Sequence, residues 1–489
     1  MKKCNVLKKI LTLVLAAAMA LSLCACGGSG EQTGGNDGKV TITVGYTADY
    51  TATYEKLIAA FNAKYPDINV VSEIIPGTMK GQITQMTTLA AADRLPDICV
   101  GSEQFGYILQ QGWAYPLDNL IATDPDKDAI MEQALTNFSY DGHVYGLPYQ
   151  IQFNAIVVNM ELLGTLNLDV PEYDWTVSEF VDMAKAATTT EYSGINYVYN
   201  TSNPTWGLDN KLMGALVPAG YEQYGYSFDT HTINLTANNA WVQSNNLLLE
   251  LRNTPGLVAD EMKYTAGGVS DYNKKFGEGA DALLSGKVLF GNHSSWEYNI
   301  PDGGNFEFDM YPVPTGDGLD ERIQTHFDFA YMTSKVTEEN RDAAYTFLKF
   351  ITYGEGCLIR LEESLRILEE KPTTFKIYIP ASADEAVMEA FNDAPLPDGI
   401  KYMYNTIIER PETIHVADCD KLIPNFWSDI EQFRQSATDS VKNGIDPAAL
   451  VNDFQSKTNA AMEATWNYFV SCMDKNVTKF YQDHPWEKP

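Results

Sequence analysis

Cys24 and Cys26, in the stretch Leu23-Cys24-Ala25-Cys26, are the first residues of the chain whose spacing and setting suggest chemistry. A thiol can cross-link, ligate a metal or be acylated. The cysteines beyond them, Cys99, Cys357, Cys419 and Cys472, are far apart and form no C-x-x-C pair, so neither a disulfide framework nor a zinc site is expected. Catalytic signatures are also missing: there is no G-x-S-x-G and no H-E-x-x-H. The stretch GEGADA (277–282) matches G-x-G-x-x-A without a strand ahead of it, and Gly286-Lys287 lacks the upstream glycine of a phosphate loop. DPDKD (124–128) begins like a calcium loop, but Ala129 stands where glycine is required and Leu135 where the closing glutamate belongs, so it reads as a solvated acidic loop. A glycosidase-type carboxylate pair stays open, because its two members need not be neighbours in the chain.

The setting of the first cysteines points to acylation. Lys2, Lys3, Lys8 and Lys9 form a positive leader, and Ile10–Leu23 is almost wholly apolar, too short to span a bilayer comfortably. The residues Leu23–Cys26 resemble a bacterial lipobox, in which a small residue precedes the cysteine that becomes the lipidated first residue. Ala25 before Cys26 fits; Leu23 before Cys24 is too large. Residues 1–25 are therefore expected to leave as a lipoprotein signal peptide, with Cys26 the lipidation site. The protein would be anchored to the outer face of the bacterial cytoplasmic membrane through lipid alone. Residues 26–38 then form a flexible tether, since GGSGEQTGGNDG has nothing apolar to bury. Plain secretion is the alternative.

The leader holds four of the 34 basic residues, which leaves 30 against 65 acidic ones. Such an excess argues against nucleic acid or anionic lipid as a partner. About 450 residues lie beyond the tether, enough for two or three domains. Val40–Val44 alternates as a strand does. Tyr54, Leu57, Ile58, Phe61 and Tyr65 recur at helical spacing before Pro66. A strand at 68–71, a helix near 83–92 and a strand at 98–100 continue the alternation, which predicts an α/β domain with a largely parallel sheet. Ligands in such sheets sit beyond the carboxyl ends of the strands, which singles out Asp49, Glu103 and Gln104. Further on, Thr176 and Glu179 form a capping-box pattern, residues 341–351 a helix, and Asp446-Pro447 a helix start running through Leu450, Phe454 and Ala461.

In order along the chain stand YEKLIAAFNAKYP (54–66), RLPDICVGSEQFG (94–106), YGLPYQIQFNAIVVN (145–159), DWTVSEFVDMAKAAT (174–188), FGEGADALLSGKVLFGNHSSWE (276–297), FDMYPVPTGDG (308–318) and NRDAAYTFLKFIT (340–352). Together they resemble extracellular solute-binding protein family 1, the sugar-binding lipoproteins of ABC importers related to maltose-binding protein. The resemblance implies a two-lobed periplasmic-binding-protein-like clamp, each lobe a mostly parallel sheet flanked by helices, with a hinge between. Residues 39–150 would build the first lobe and 151–304 the second. Residues 305–355 would return to the first, and 356–489 would belong mostly to the second.

The same resemblance implies a sugar, an oligosaccharide where the cleft is long. It would be held between the lobes and delivered to permease subunits by a monomer without cofactor, metal or catalysis. Sugar faces call for aromatic rings and sugar hydroxyls for carboxylates or amides. Trp296 matches a position where a tryptophan stacks on sugar; Trp427, in IPNFWSDI, matches a second platform, and Trp206, in SNPTWGLDN, falls among second-lobe contacts. Asp49 falls near a first-lobe carboxylate, while Glu103 and Gln104 occupy the places of an acidic and a basic contact. Gln152 stands where the maltose binders carry a glutamate, and the changes at Gln104 and Gln152 argue for a different sugar. Trp175 is expected to be structural, and Trp113, Trp241 and Trp466 to pack. Two other classes fit the same residues: a surface-tethered glycoside hydrolase, or an adhesive carbohydrate-binding lipoprotein.

Overall fold

A computed structural model describes residues 38–76, 81–101, 103–198, 207–296, 306–370, 377–419 and 423–488. Cys24, Cys26, the tether up to residue 37 and Trp206 lie outside them. Strand β1 (Val40–Thr47) buries Ile42, Val44 and Tyr46. Helix α1 (Thr51–Lys64) buries Tyr54, Leu57 and Phe61 at helical spacing, and Pro66 prevents its continuation. Strand β2 (Ile68–Ile75), a helix over Gln82–Ala91 and the fully buried strand β3 (Ile98–Gly101) follow, then the short helix α2 (Phe105–Gln110). β1 and β3 pair in parallel, Val44 opposite Ile98, as strand–helix–strand units demand.

The next strand departs from that simple pattern. β4 (Leu147–Asn159) is thirteen residues long and all but one of them are buried. Its first half, up to Phe153, pairs antiparallel with the later strand β8 (Ile323–Met332), which in turn pairs antiparallel with β3. Its second half, Asn154–Asn159, pairs antiparallel with β6 (Val288–Ser294) on one edge and β7 (Phe308–Pro312) on the other. One strand is thus shared by two sheets. In the second sheet β5 (Ser193–Ile195) lies parallel to β6. Pairing is parallel for β1 with β3 and for β5 with β6, and antiparallel for β3 with β8 and for the neighbours of β4, so each sheet is mixed.

Helices cover both sheets. The capping box forms as the sequence suggests: Thr176 N–H donates to Glu179 Oε2 at 2.7 Å, and Glu179 N–H donates to Thr176 Oγ1 at 3.3 Å, opening the helix Val177–Ala187. Trp175 is structural: its Nε1 donates to Pro312 O at 2.9 Å and its ring packs on Phe180, Phe290 and Tyr311. Helix α3 (Leu208–Leu216) packs on helix α4 (Ala240–Asn253), with a small hairpin, Tyr226–Ser227 and Thr232–Ile233, between them in the chain. After β8 come α5 (Arg341–Thr352) and α6 (Gly356–Glu370), then the short strands β9 (Ile379–Pro380) on β4 and β10 (Ile414–Val416) on β8. Two long helices close the chain, α7 (Phe426–Lys442) and α8 (Val451–Asp483).

Two expectations are corrected. Asp446 caps only a short turn at Pro447–Ala449; the helix expected to open there begins at Val451 instead, and runs through Phe454 and Ala461 on to Asp483. The acidic loop at 124–128 is not simply solvated: Asp124 is buried, accepting from Lys349 Nζ and, at 3.1 Å, from the Tyr345 hydroxyl, which locks the loop to α5.

The helix Val177–Ala187 and β5 touch backbone to backbone at Gly194, where an added Cβ would lie 2.3 Å from the Ala184 carbonyl oxygen. Neither backbone can yield cheaply, so Gly194→Ala is expected to destabilise the protein by about 1–3 kcal/mol, read from urea unfolding midpoints.

Candidate functional site

Residues with even numbers in the first part of β4 point to one face, as do even-numbered residues of β8. In both strands that face is polar, although it lies in the interior like the apolar face behind it. On β4 it carries Gln150, Gln152 and Asn154; on β8 it carries Gln324, His326 and Asp328. Antiparallel register sets Gln152 opposite His326 and Gln150 opposite Asp328. Gln152 Nε2 donates to Asp328 Oδ2 at 3.0 Å, and Asn154 Nδ2 donates to Gln324 Oε1 at 3.0 Å. A rail of amides and one carboxylate therefore runs along the two strands. Buried polar groups of this kind are held in place by one another.

Trp296 stands at one side of the rail. β6 ends at Ser294, and Ser295 is fixed to β4 twice: its N–H donates to Phe153 O at 2.9 Å, and its Oγ accepts from Phe153 N–H at 2.9 Å. This paired attachment to the shared strand fixes where the half-buried Trp296 emerges. Its indole meets the His326 ring edge to face at 4.8 Å and 74°. Behind His326, Asp418 Oδ2 lies 3.6 Å from Nδ1 and accepts from Phe327 N–H at 3.2 Å. Asp418, two residues past β10, thus buttresses the imidazole that meets the tryptophan.

The first strand's loop reaches the other end of the rail. Burial, then the charges of Asp328 and Asp49, push the Tyr50 hydroxyl above its usual range. Asp49 itself is exposed and accepts from Thr47 Oγ1 at 2.5 Å. Tyr149, buried on β4, is likewise raised by burial and then by the charges of Tyr50 and Asp328. Behind them Arg360 of α6, only 3% exposed, lies 4.9 Å from the Tyr54 ring centre and 4.5 Å from that of Tyr149, and donates to the Tyr54 hydroxyl. Cation–π contact makes so deep a guanidinium tolerable. Glu103 and Gln104 are exposed at the carboxyl end of β3, with Gln104 at a left-handed φ of 61° ahead of α2. Since Gly101 pairs with Phe329, that loop leaves β3 beside the Asp328 end of β8.

The structure thus brings Gln152 and Trp296 to one rail, while Asp49 stays exposed in the loop after β1. Trp427 opens α7 half-buried, its ring edge to face with Tyr224 at 6.0 Å and with Phe426 at 5.4 Å. Asn154, His326, Asp328 and Asp418 are not singled out by the sequence motifs. A signal exists for the first three: polar residues alternate within QIQFN (150–154) and QTHFD (324–328), in strands otherwise apolar enough to be core. Among the described residues no three His, Cys, Asp or Glu side chains group as a metal centre. A cavity of about 900 Å³ lies elsewhere, lined by residues such as Thr136, Tyr140, His231 and Trp466, and shares no residue with the rail.

Two mixed α/β sheets joined through a shared strand, with a polar rail and an aromatic ring where they join, form the fold of the solute-binding proteins that clamp a ligand between lobes. The chain belongs to the bacterial extracellular solute-binding protein family, whose pattern it matches over residues 45–352. An arabinooligosaccharide-binding protein of Bacillus subtilis is 28% identical over 163 residues, covering 32% of this chain and 37% of the relative, so the match spans little more than a third of that protein. A sugar transporter from Rhizobium etli in an open conformation superposes with a TM-score of 0.62 at 17% identity, over 87% of this chain and 99% of the other. A substrate-binding protein from Listeria monocytogenes in complex with cycloalternan superposes with a TM-score of 0.58 at 18% identity, over 87% and 99%. Among the described residues no helix is long and apolar enough to cross a membrane.

Replacing His326 by alanine removes the edge contact on Trp296. A loss of about 1 kcal/mol in stability is expected, together with a shift of tryptophan emission to longer wavelength, both readable in a fluorescence-monitored urea titration.

Proposed function

We propose that the protein is the carbohydrate-receiving component of an ABC importer, binding an oligosaccharide between its two sheets and passing it unchanged to permease subunits. One observation carries this reading. Rings and hydrogen-bonding groups converge on the strands the two sheets share, where Trp296 offers an apolar face and Gln152 and Asp328 offer groups for hydroxyls, with Asp49 added from the loop after β1 in this reading. Placed there, a ligand touches both halves and stabilises the arrangement in which they approach. Glu103 and Gln104 would add contacts from the first half, and Trp427 and Trp206 from the second.

The lobes in this reading follow the sheets. The first takes the chain from residue 39 to the middle of β4, and the second from there through β7. Because β7 pairs with the second half of β4, this reading puts the return to the first lobe between Pro312 and Ile323. In the same reading α6, which packs on α1, and β9, which pairs with the first half of β4, go with the first lobe. Cys26, lipidated, would tether a monomer to the outer face of the membrane and raise its effective concentration at the permease.

A thermal-shift panel of the full-length chain against arabino- and malto-oligosaccharides, with product analysis of each hit, tests the reading. Ligand that binds only the folded form must raise the midpoint. A rise with one glycan series and intact glycan afterwards is the expected result; cleavage would make the protein a hydrolase, and no rise across the panel would sink the sugar assignment. For the glycan that binds, Trp296→Ala is expected to weaken affinity roughly tenfold or more by isothermal titration. An unchanged Kd would mean that Trp296 is no platform.

A further inference from the structure

Helix α8 has no glycine or proline anywhere in its 33 residues, Val451 to Asp483, so it is a rod of about 50 Å with no residue at which it would kink. Its buried residues, Val451, Phe454, Thr458, Met462, Phe469 and Met473, form one continuous stripe. The two ends of that stripe serve different halves of the molecule.

At its start α8 is bound to the side of the second sheet. Asn459 accepts from Ile233 N–H at 2.8 Å and donates to Ile233 O at 3.0 Å, while Gln455 accepts from Leu235 N–H at 2.7 Å. Thr465 Oγ1 donates to Asp429 of α7 at 2.8 Å, and α7 is joined through Arg434 to Asp209 of α3 at 3.1 Å. From α3, Lys211 Nζ donates to Ala155 O of β4 at 3.1 Å, in the half that belongs to the second sheet.

At its end α8 is bound to the side of the first sheet. Asn476 Nδ2 donates to Leu109 O at 3.0 Å and Gln110 O at 2.9 Å, closing the carboxyl end of α2. Phe480 packs edge to face on Tyr115 at 4.9 Å, and Tyr115 N–H donates to Met332 O at the end of β8. Just past the helix, buried Glu487 accepts from the Tyr115 hydroxyl at 2.6 Å and Asn119 Nδ2 at 2.9 Å, and pairs with Arg341 of α5. Between the two anchorages the helix spans the 900 Å³ cavity. There Trp466 stacks on His231 of the small hairpin at 3.6 Å, and Phe469 meets Tyr140, which precedes β4, at 5.1 Å.

We infer that α8 is a brace between the two halves, which fixes their separation in the ligand-free protein and thereby sets the affinity of the cleft. The inference rests on the proposed reading that the two halves move relative to each other about the shared strands. A rod anchored at Asn459 and again at Asn476 and Glu487 cannot lengthen. Any change in the angle between the halves must therefore slide or break one anchorage, and the cavity beneath its middle leaves room for that displacement. Observed affinity scales with the fraction of molecules already able to bind, so an anchorage that holds one angle also sets the Kd.

Small-angle X-ray scattering of the full-length chain without ligand tests this, comparing wild type with Asn476→Ala/Glu487→Ala, which frees the first-sheet end. With helix content retained by circular dichroism, the freed variant is expected to show an altered radius of gyration and a broadened distance distribution. Its Kd for maltotetraose or arabinotriose, whichever the wild type binds, is expected to change threefold or more. Superimposable scattering curves from a folded variant would overturn the brace. Should the double variant fail to fold, Asn476→Ala alone, which removes only the two bonds to α2, is expected to change scattering in the same direction, and an unchanged curve again overturns the inference. If neither sugar binds wild type, the sugar reading fails while the scattering still decides the brace.

Discussion

Everything in this structure depends on one strand being shared. Leu147–Asn159 pairs along its first half in one sheet and along its second half in another, so backbone hydrogen bonds, which a buried chain must satisfy, run without a break from one half of the protein to the other. The second strand of the pair, Ile323–Met332, shares the passage, with β10 on its first residues and β3 on its last. Both strands are buried on both faces at the point of crossing. A crossing built this way holds its register, and in the proposed reading the two sheets turn about it.

Burial at the crossing explains why the site is there. A side chain on either strand faces little water, so any polar group must find partners. Gln152 finds Asp328, Asn154 finds Gln324, and His326 meets Trp296 with Asp418 behind it. The arrangement holds its donors and acceptors in fixed positions, which in the proposed reading keeps the ordering cost of binding low. The buried Arg360, among the rings of Tyr54, Tyr149 and Tyr378, stiffens the wall from which Tyr50 reaches toward Asp328.

The last helix adds a second link between the halves. In the proposed reading the strands at the crossing permit rotation, and a 33-residue helix anchored to both sides resists it. A receptor with both elements holds a preferred resting angle, and its affinity reflects how far that angle lies from the one a ligand favours.

Much of the fold is legible in the sequence. Alternation in Val40–Val44, helical spacing from Tyr54 to Phe61, and the Thr176–Glu179 box are local signals, and each became the element it suggested, because short-range periodicity and capping hydrogen bonds involve residues close in the chain. The order of motifs likewise pointed to the family that the chain belongs to. Pairing over long separations is what the sequence by itself could not decide. Gln152 and Asp328 are 176 positions apart, and only the register of β4 on β8 makes them neighbours. That β7 joins the second sheet, that Asp124 is buried against α5, and that one helix reaches both halves were settled in the same way, by which surfaces meet once the chain is packed. Local spacing determines which face of an element is apolar. Only the tertiary structure determines what covers that face, because the free energy of burial depends on the partner and not on the spacing.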